Sequence, residues 1–130
     1  MQTLQKTEMG SVEVGSVKHR RADGAAEIYC GRGRAPSGMA DAGLGNPFVV
    51  GATYAQGEAA AAYLPHLRAL CRRDSPERRT IARLAARVRA GERLRLMCWC
   101  KQPGRDVPCH ADHIRAAVLG YARTLEGYKC

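Results

Sequence analysis

The chain has 130 residues, 45% of them hydrophobic, and its 21 lysines and arginines against 12 acidic residues give a formal net charge of +9. This length and composition suit one globular domain and exclude a disordered chain. No segment approaches the roughly 18 apolar residues of a membrane span, and residues 1–6 lack the apolar core of a signal peptide, so we expect a cytoplasmic protein without a membrane role.

Two short strands are predicted near the N-terminus. Residues 1–10 are polar and show no period, so we expect a flexible N-terminus, with residues 11–130 forming the single domain. The alternating valines of residues 11–18 predict a half-buried strand in which Gly15 forms a bulge or a break in register. Residues 25–30, Ala-Ala-Glu-Ile-Tyr-Cys, have the β-branched and aromatic character of a second strand.

A glycine-rich loop follows the second strand and extends to residue 51 without a helical period. Glycines directly after a strand allow backbone N–H groups to approach an anion, and arginines beside them add positive charge. Five loop residues are therefore candidates for binding a nucleotide or nucleic-acid phosphate: Gly31, Arg32, Arg34, Gly45 and Asn46. The spacing matches neither the P-loop nor the dinucleotide fingerprint, so a flexible turn with solvated arginines is the alternative.

Two helices are predicted next. Residues 56–73 place apolar side chains at spacings of three and four, and Pro65 is expected to kink this helix or to end its first segment. Ser75 followed by Pro76 is a strong start for a second helix, which Gly91 would end. The predicted buried stripe of the second helix consists of Ile81, Leu84, Ala85 and Val88.

Arginines cover the rest of the second helix, and two interpretations of them remain open. Positive charge bears on which partners a protein binds, and it does not determine the fold. The arginines therefore form either a phosphate-binding face or a solvated face. The nucleic-acid-binding residues of such a face would be Arg79, Arg83 and Arg87. The aromatic content of 5% argues against a general binder of single strands, which stacks bases on exposed rings.

Residues 94–100 form the clearest strand, and large apolar residues on both of its faces indicate a central, buried position. A last helix is predicted to start near residue 109. The resulting order is strand, strand, loop, helix, helix, strand, helix. This order predicts an α/β fold, a small single-domain Rossmann-like sheet of about four strands with three or more flanking helices.

Three cysteines and two histidines gather where the last strand gives way to the last helix. Cys98 and Cys100 are two residues apart in a strand, so their sulfurs point to one face. Cys109 and His110 lie at the start of the helix, where unpaired N–H groups and the macrodipole stabilise a thiolate. In a reducing compartment these cysteines are expected to be thiols or metal ligands rather than disulfides.

Three hypotheses account for this cluster. The first is zinc as a cofactor, because four soft ligands suit its tetrahedral geometry. Its ligands would be Cys98, Cys100, Cys109 and either His110 or His113. The second is a metal-free catalytic site, in which Cys109 is the nucleophile, His110 or His113 is the base and Asp112 orients the base. In the third, the cysteines pack as small apolar groups.

Four pieces of the sequence together resemble a known family: Tyr29-Cys30-Gly31-Arg32, Leu44-Gly45-Asn46-Pro47-Phe48, Leu96-Met97-Cys98-Trp99-Cys100 and Pro108-Cys109-His110-Ala111-Asp112. This combination is similar to the phage and bacterial family called domain of unknown function 4326, over about residues 11–122. The last strand and helix also resemble domain of unknown function 488, which implies a Rossmann-like layer. The first resemblance implies that the glycine loop and the cysteine cluster belong to one site, and it implies no particular activity.

The leading hypothesis is therefore an α/β protein that binds a nucleotide or nucleic-acid phosphate where the glycine loop faces the cysteine cluster. Open α/β sheets place their ligands at the strand ends, where these two segments are predicted to meet. An enzyme of this kind would carry out transfer or hydrolysis through Cys109 or through a zinc-bound water. The alternative is a non-enzymatic basic protein with a structural zinc site, such as a phage protein that blocks a host nucleic-acid-binding complex.

Overall fold

The computed structural model describes residues 9–48, 55–99 and 108–124. The elements follow in this order: β1 (Ser11–Ser16), β2 (Ala26–Tyr29), β3 (Ala40–Asp41), α1 (Gln56–Cys71), α2 (Pro76–Arg89), β4 (Arg93–Cys98) and α3 (His110–Thr124). Four strands form one sheet and three helices accompany it, so the predicted small α/β domain is confirmed. No helix in these ranges is long and apolar enough to cross a membrane.

The sheet is entirely parallel, in the order β1-β4-β2-β3. Strand β4 pairs on both sides, because Leu96 lies opposite Val14 of β1 and opposite Ile28 of β2. The predicted central position of this strand is confirmed. Strand β3 lies inside the predicted glycine loop, and its two residues, Ala40 and Asp41, carry no alternating pattern that could have revealed it.

Gly15 does not form the predicted bulge. It pairs with Met97 in an unbroken register along β1. A Cβ atom on Gly15 would lie 2.7 Å from Cδ of the Arg95 side chain on the neighbouring strand. The glycine therefore makes room for a large side chain in contact with the sheet, which is the other common reason for glycine within a strand.

The second predicted helix is confirmed in detail. The Ser75 hydroxyl accepts a hydrogen bond from the Arg78 N–H, Pro76 is the first helical residue, and Gly91 follows the helix with φ of 99°. The buried residues of α2 are the predicted Ile81, Leu84, Ala85 and Val88.

Helix α1 continues through Pro65 to Cys71, so the expectation that this proline ends a segment is wrong. Proline removes the N–H that would bond to the carbonyl of Ala61. Both residues lie on the exposed side of the helix, where solvent can replace that bond. Of the predicted flexible N-terminus, residues 1–8 lie outside the described ranges, and the Gly10 N–H donates to the Val88 carbonyl at 2.7 Å.

The main core lies between the helices and one face of the sheet. Alternation along β4 sends Leu94, Leu96 and Cys98 to this face, where they join a cluster with buried residues of all three helices. The opposite face carries a smaller cluster of Tyr29, Met39 and Met97. The sheet is therefore a layer whose two faces are covered differently, by helices on one side and by loop residues on the other.

Arg95 is buried on the second face of β4, with 2% of its surface exposed. Residues 17–25 connect β1 to β2, which lie on either side of β4, and this connection covers the arginine. The guanidinium pairs with Glu13, contacts Asp23 at 2.5 Å and approaches Glu27 at 3.6 Å. Its hydrogen bond to Asp23 is the main cause that lowers the pKa of that carboxyl group to about 2. The buried cation thus attaches the connection to the sheet.

Candidate functional site

A cavity of about 470 Å³ lies beyond the carboxyl ends of β2 and β4. Its wall combines the turn 31–33 with parts of the next loop, the start of α1, the end of β4 and the start of α3. The lining side chains with polar or aromatic groups are Arg32, Asn46, Phe48, Cys98, Trp99 and His110. The glycine loop and the cysteine cluster, which were expected to meet at the sheet edge, therefore line one cavity, in the usual place for ligands of open α/β sheets.

The turn 31–33 contacts the side chain of Tyr29, which is fully buried. The Tyr29 hydroxyl donates to the carbonyl of Arg32 and accepts a hydrogen bond of 2.9 Å from the indole N–H of Trp99. A Cβ atom on Gly31 would lie 2.6 Å from the Tyr29 hydroxyl oxygen, so glycine is needed for this close approach. Arg32 lines the cavity, whereas Arg34 is exposed outside its wall.

The second loop packs tightly against the first. A Cβ atom on Gly45 would lie 2.8 Å from the carbonyl oxygen of Gly31, so this candidate residue serves the contact between the loops. The buried Asn46 side chain donates through Nδ2 to the Ala59 carbonyl and accepts through Oδ1 from the Phe48 N–H, both at 2.9 Å. Because both ends of the amide have partners in the chain, Asn46 holds the loop against α1 at the cavity wall.

The cysteine cluster contains a chain of close polar atoms. The sulfurs of Cys98 and Cys109 lie 3.0 Å apart, and the Cys109 sulfur lies 3.7 Å from Nδ1 of His110. Nε2 of His110 lies 2.5 Å from the carbonyl oxygen of Cys30. A carbonyl can only accept, so Nε2 carries a proton, and Nδ1 is the ring nitrogen that lies on the side of the Cys109 sulfur.

The cavity gives the members of this cluster different positions. Cys98 and His110 form part of its wall, and Cys109 lies behind them. The Asp112 carboxylate accepts a hydrogen bond of 3.2 Å from the Cys109 N–H, so it caps α3. The carbonyl of Cys30 contacts Nε2 and can therefore orient the ring of His110, and the orienting role of Asp112 stays a prediction. The fifth member, His113, is half-buried in the first turn of α3.

Cys30 itself has a separate environment. Its side chain joins the main hydrophobic cluster and is fully buried. Burial raises the pKa of the Cys30 thiol far above its ordinary value, with smaller contributions from Cys98 and Asp41. The thiol therefore stays protonated and packs as a small apolar group.

The predicted zinc ligands can be compared with this geometry only in part, because Cys100 lies outside the described residues. Among the residues that the structure does describe, no group of three or more His, Cys, Asp or Glu could hold a metal ion. Two thiolates on tetrahedral zinc are about 3.8 Å apart, given zinc–sulfur bonds of about 2.3 Å. The sulfurs of Cys98 and Cys109 are closer than this, so these two residues as arranged do not fit a zinc ion.

The arginines of α2 lie outside the cavity and contact neighbours in the same chain. The contacts join Arg79 to Asp74 at 2.5 Å, Arg83 to the Thr80 hydroxyl at 3.0 Å and Arg87 to Glu92 at 2.9 Å. Exposed ion pairs of this kind contribute little to stability. Both interpretations of this helix, a phosphate-binding face and a solvated face, stay predictions.

Sequence reasoning missed two aromatic residues of the site, Tyr29 and Trp99. Trp99 lines the cavity because it directly follows the last residue of β4. A large aromatic residue at the end of a central strand was the available signal. For Tyr29 the signal was its position directly before Cys30 and the glycine turn.

The cavity lies within a part of the chain that matches a known family. The family model described as Domain of unknown function (DUF4326) matches residues 16–120. This range contains the glycine loop, all the described residues of the cavity wall and the cysteine cluster. Comparison with curated proteins and with solved structures gives no match.

Proposed function

Since the chain belongs to the family called domain of unknown function DUF4326, whose name gives no activity, we propose a function from the cavity itself: it binds a nucleotide through its phosphate. The phosphate would occupy the turn 31–33, beside the Arg32 side chain. The observation that carries this proposal is the meeting of a glycine turn, an arginine and the start of a helix in one cavity.

The size and charge of the cavity support a small anionic ligand. Its volume of about 470 Å³ falls within the range of about 300 to 1,000 Å³ that is typical of small-molecule sites. Among the described residues of its wall, Arg32 is the one with a permanent charge and none is acidic. A guanidinium group presents a fork of donors that matches phosphate oxygens. The net charge of +9 also attracts anions from a distance.

Two helices begin beside the cavity and add to its positive potential. His110 is the first residue of α3, and Ala59 and Ala60 lie in the first turns of α1. The N-terminal end of a helix carries a partial positive charge, which stabilises an anion by about 0.3–1 kcal/mol at an exposed site. An acidic residue in each first turn, Glu58 of α1 and Asp112 of α3, offsets part of this charge. Arg32 is therefore the main source of positive potential for the proposed phosphate.

A thiol also faces the cavity, and this bears on possible chemistry. Cys98 is part of the wall, and the neighbouring Cys109 thiol is placed to donate to its sulfur. If the bound nucleotide is processed through a thiol, Cys98 is therefore the nucleophile within reach, with His110 as the nearby base.

The binding proposal can be tested by isothermal titration calorimetry with nucleoside monophosphates and triphosphates. Substitution of Arg32 by glutamine should weaken binding at least tenfold, because a charged hydrogen bond to phosphate contributes about 1.5–3 kcal/mol. The matched control is Arg34→Gln, which removes the same charge from the same loop outside the cavity and should change affinity less than about twofold. Equal effects of the two substitutions, or no binding of any nucleotide, would show the proposal to be wrong.

A further inference from the structure

The ring of Trp99 gives the proposed site a second half. We infer that the cavity takes a single nucleotide whose base stacks on the indole of Trp99 while its phosphate lies at the turn 31–33. This inference rests on the proposed function and deepens it, because it assigns a place to the base and distinguishes a free nucleotide from a nucleic-acid strand.

Trp99 is unusually exposed for a tryptophan next to a buried strand. Its exposed fraction is 49%, whereas the five residues before it are buried. Along the described chain, only Met9 is a comparably exposed large hydrophobic residue. An exposed aromatic face at the mouth of a cavity is the feature on which nucleobases stack.

The indole is also held in place. Its N–H donates to the hydroxyl of Tyr29 at 2.9 Å, and Tyr29 has no exposed surface. One edge of the ring is thus fixed by a buried partner, and the orientation of its face is set before a ligand arrives. Preorganisation of this kind reduces the entropy lost on binding.

The same hydroxyl connects the two halves of the site. The Tyr29 oxygen accepts from Trp99 and donates to the carbonyl of Arg32. The stacking surface and the phosphate-binding turn are therefore held at a fixed separation by one side chain. A ligand that satisfies both must carry an aromatic ring at one end and an anion at the other, which describes a nucleotide.

The cavity favours one nucleotide over a strand. Binders of single strands use several aromatic platforms along a basic groove. Among the aromatic residues that the structure describes, Trp99 is the exposed one, and the ring of Phe48 packs edge-on against His66, with centroids 5.6 Å apart. The arginines of α2, which could have continued a basic groove, contact neighbours in their own chain outside the cavity wall.

Fluorescence can test this assignment, because Trp99 is the single tryptophan of the chain. The probes are the monophosphates of adenosine, guanosine, cytidine and uridine, with ribose phosphate, the free nucleosides and a short single-stranded oligonucleotide as comparisons. At least one monophosphate should quench the indole emission. By calorimetry, ribose phosphate should bind at least tenfold more weakly than that monophosphate, and without quenching.

Variants separate stacking from folding. Trp99→Leu should weaken binding of the best monophosphate about 5- to 100-fold and leave binding of ribose phosphate unchanged. Trp99→Phe, which keeps a ring, should lose less. Met9→Leu alters the other exposed hydrophobic residue and should change neither affinity, and circular dichroism melting should show that all three variants fold.

Each contrary result has a distinct meaning. If ribose phosphate binds as tightly as every monophosphate and Trp99→Leu changes neither, the base site is wrong and the phosphate proposal stands. If the oligonucleotide binds more tightly than every monophosphate, the single-nucleotide assignment is wrong. If neither ribose phosphate nor any monophosphate binds, the proposed function fails and this inference fails with it.

Discussion

The sulfur atoms of Cys98 and Cys109 lie 3.0 Å apart, although Cys98 ends β4 and Cys109 directly precedes α3. Neither forms a disulfide bond in the structure. A disulfide bond is about 2.05 Å long, so the two sulfurs need to approach by only about 1 Å to be joined. A small movement would therefore allow these two cysteines to form a disulfide bond.

We predict that hydrogen peroxide joins Cys98 and Cys109. In this reaction peroxide oxidises one thiol to a sulfenic acid with release of water, and the second thiol attacks the sulfenic sulfur with release of a second water. Two thiols with one peroxide thus yield one disulfide and two waters. Mass spectrometry after alkylation should show two fewer reactive thiols and a peptide linking the two positions. Cys98→Ser or Cys109→Ser should abolish the link.

The control for this experiment is Cys71→Ser, since Cys71 is a half-buried cysteine on α1 whose loss should leave the link intact. Elemental analysis of the same sample tests the zinc hypothesis. Zinc in the purified protein, with both thiols protected until a chelator is added, would contradict the predicted disulfide and would favour a metal site that includes Cys100.

The close contact between the two loops of the cavity gives a second prediction. In Gly45→Ala the new Cβ would lie 2.8 Å from the Gly31 carbonyl oxygen and 3.1 Å from Cα of Arg32. Backbone atoms cannot yield as a flexible side chain can, so the turn 31–33 must shift, and nucleotide affinity should fall about tenfold or more, as judged by calorimetry.

A matched glycine substitution controls for this effect. Gly57 lies in the first turn of α1, and a Cβ added there meets no atom within 4 Å. Gly57→Ala should leave nucleotide affinity unchanged and stabilise the fold by up to about 1 kcal/mol, because alanine favours a helix. If both variants lost affinity equally, contact between the loops would not be the cause.

The sequence predicted those features that depend on neighbouring residues. Helix α2 was predicted with its cap, its end and its buried stripe because Ser75, Pro76 and Gly91 act within a few residues of their own positions. Strand β3 was missed because its two residues are defined by pairing with β2 rather than by a local pattern. Local signals therefore account for most of the elements and for the central strand.

Contacts between distant residues account for what could not be predicted. Gly15 was interpreted as a bulge because its partner in space, the Arg95 side chain, is far away in the chain. The two halves of the cavity were identified as separate motifs, but the link between Tyr29 and Trp99 depends on the pairing of β2 with β4. No periodicity in the sequence encodes that pairing.

The buried Arg95 gives a prediction about stability. Arg95→Met would remove the buried cation that joins the carboxylates of Glu13, Asp23 and Glu27. Their remaining ion pairs are with the more exposed Arg20, Arg21 and Arg93. Breaking a buried ion pair costs about 3–5 kcal/mol, and we expect about 3 kcal/mol because Glu13 and Asp23 are partly exposed. Urea denaturation should measure this loss.

The neighbouring arginine provides the control for that measurement. Arg93 also approaches Asp23, at 3.7 Å, but its side chain is 51% exposed. Arg93→Met should therefore cost less than about 1 kcal/mol. A loss for Arg95→Met no larger than that for Arg93→Met would contradict the role of Arg95 in attaching residues 17–25 to the sheet.

The same contact predicts how stability depends on pH. The pKa of Asp23 is lowered from 3.8 to about 2, chiefly by the hydrogen bond from Arg95. A lowered pKa means that the folded state favours the carboxylate, so this stabilisation is present above about pH 4 and is lost as the pH falls toward 2. In Asp23→Asn, thermal melting should depend less on pH across this window, and equal dependence in both proteins would refute the assignment.

The arginines of α2 distinguish the proposed nucleotide site from a basic interaction surface. None of Arg79, Arg83 and Arg87 lines the cavity, and each has a partner in the chain. The triple substitution to glutamine should therefore change nucleotide affinity less than about twofold, as measured by calorimetry.

A matched triple variant removes the same charge elsewhere, at the exposed arginines that end α1: Arg68, Arg72 and Arg73. For a strand bound on α2, each lost phosphate contact would lower the slope of log affinity against log salt by about 0.7. The α2 variant would then lower this slope for oligonucleotide binding by about 2, and the α1 variant would leave it unchanged. We expect the two triple variants to behave alike, because α2 already neutralises part of its charge with Asp74 and Glu92. A loss confined to the α2 variant would instead favour the interaction protein.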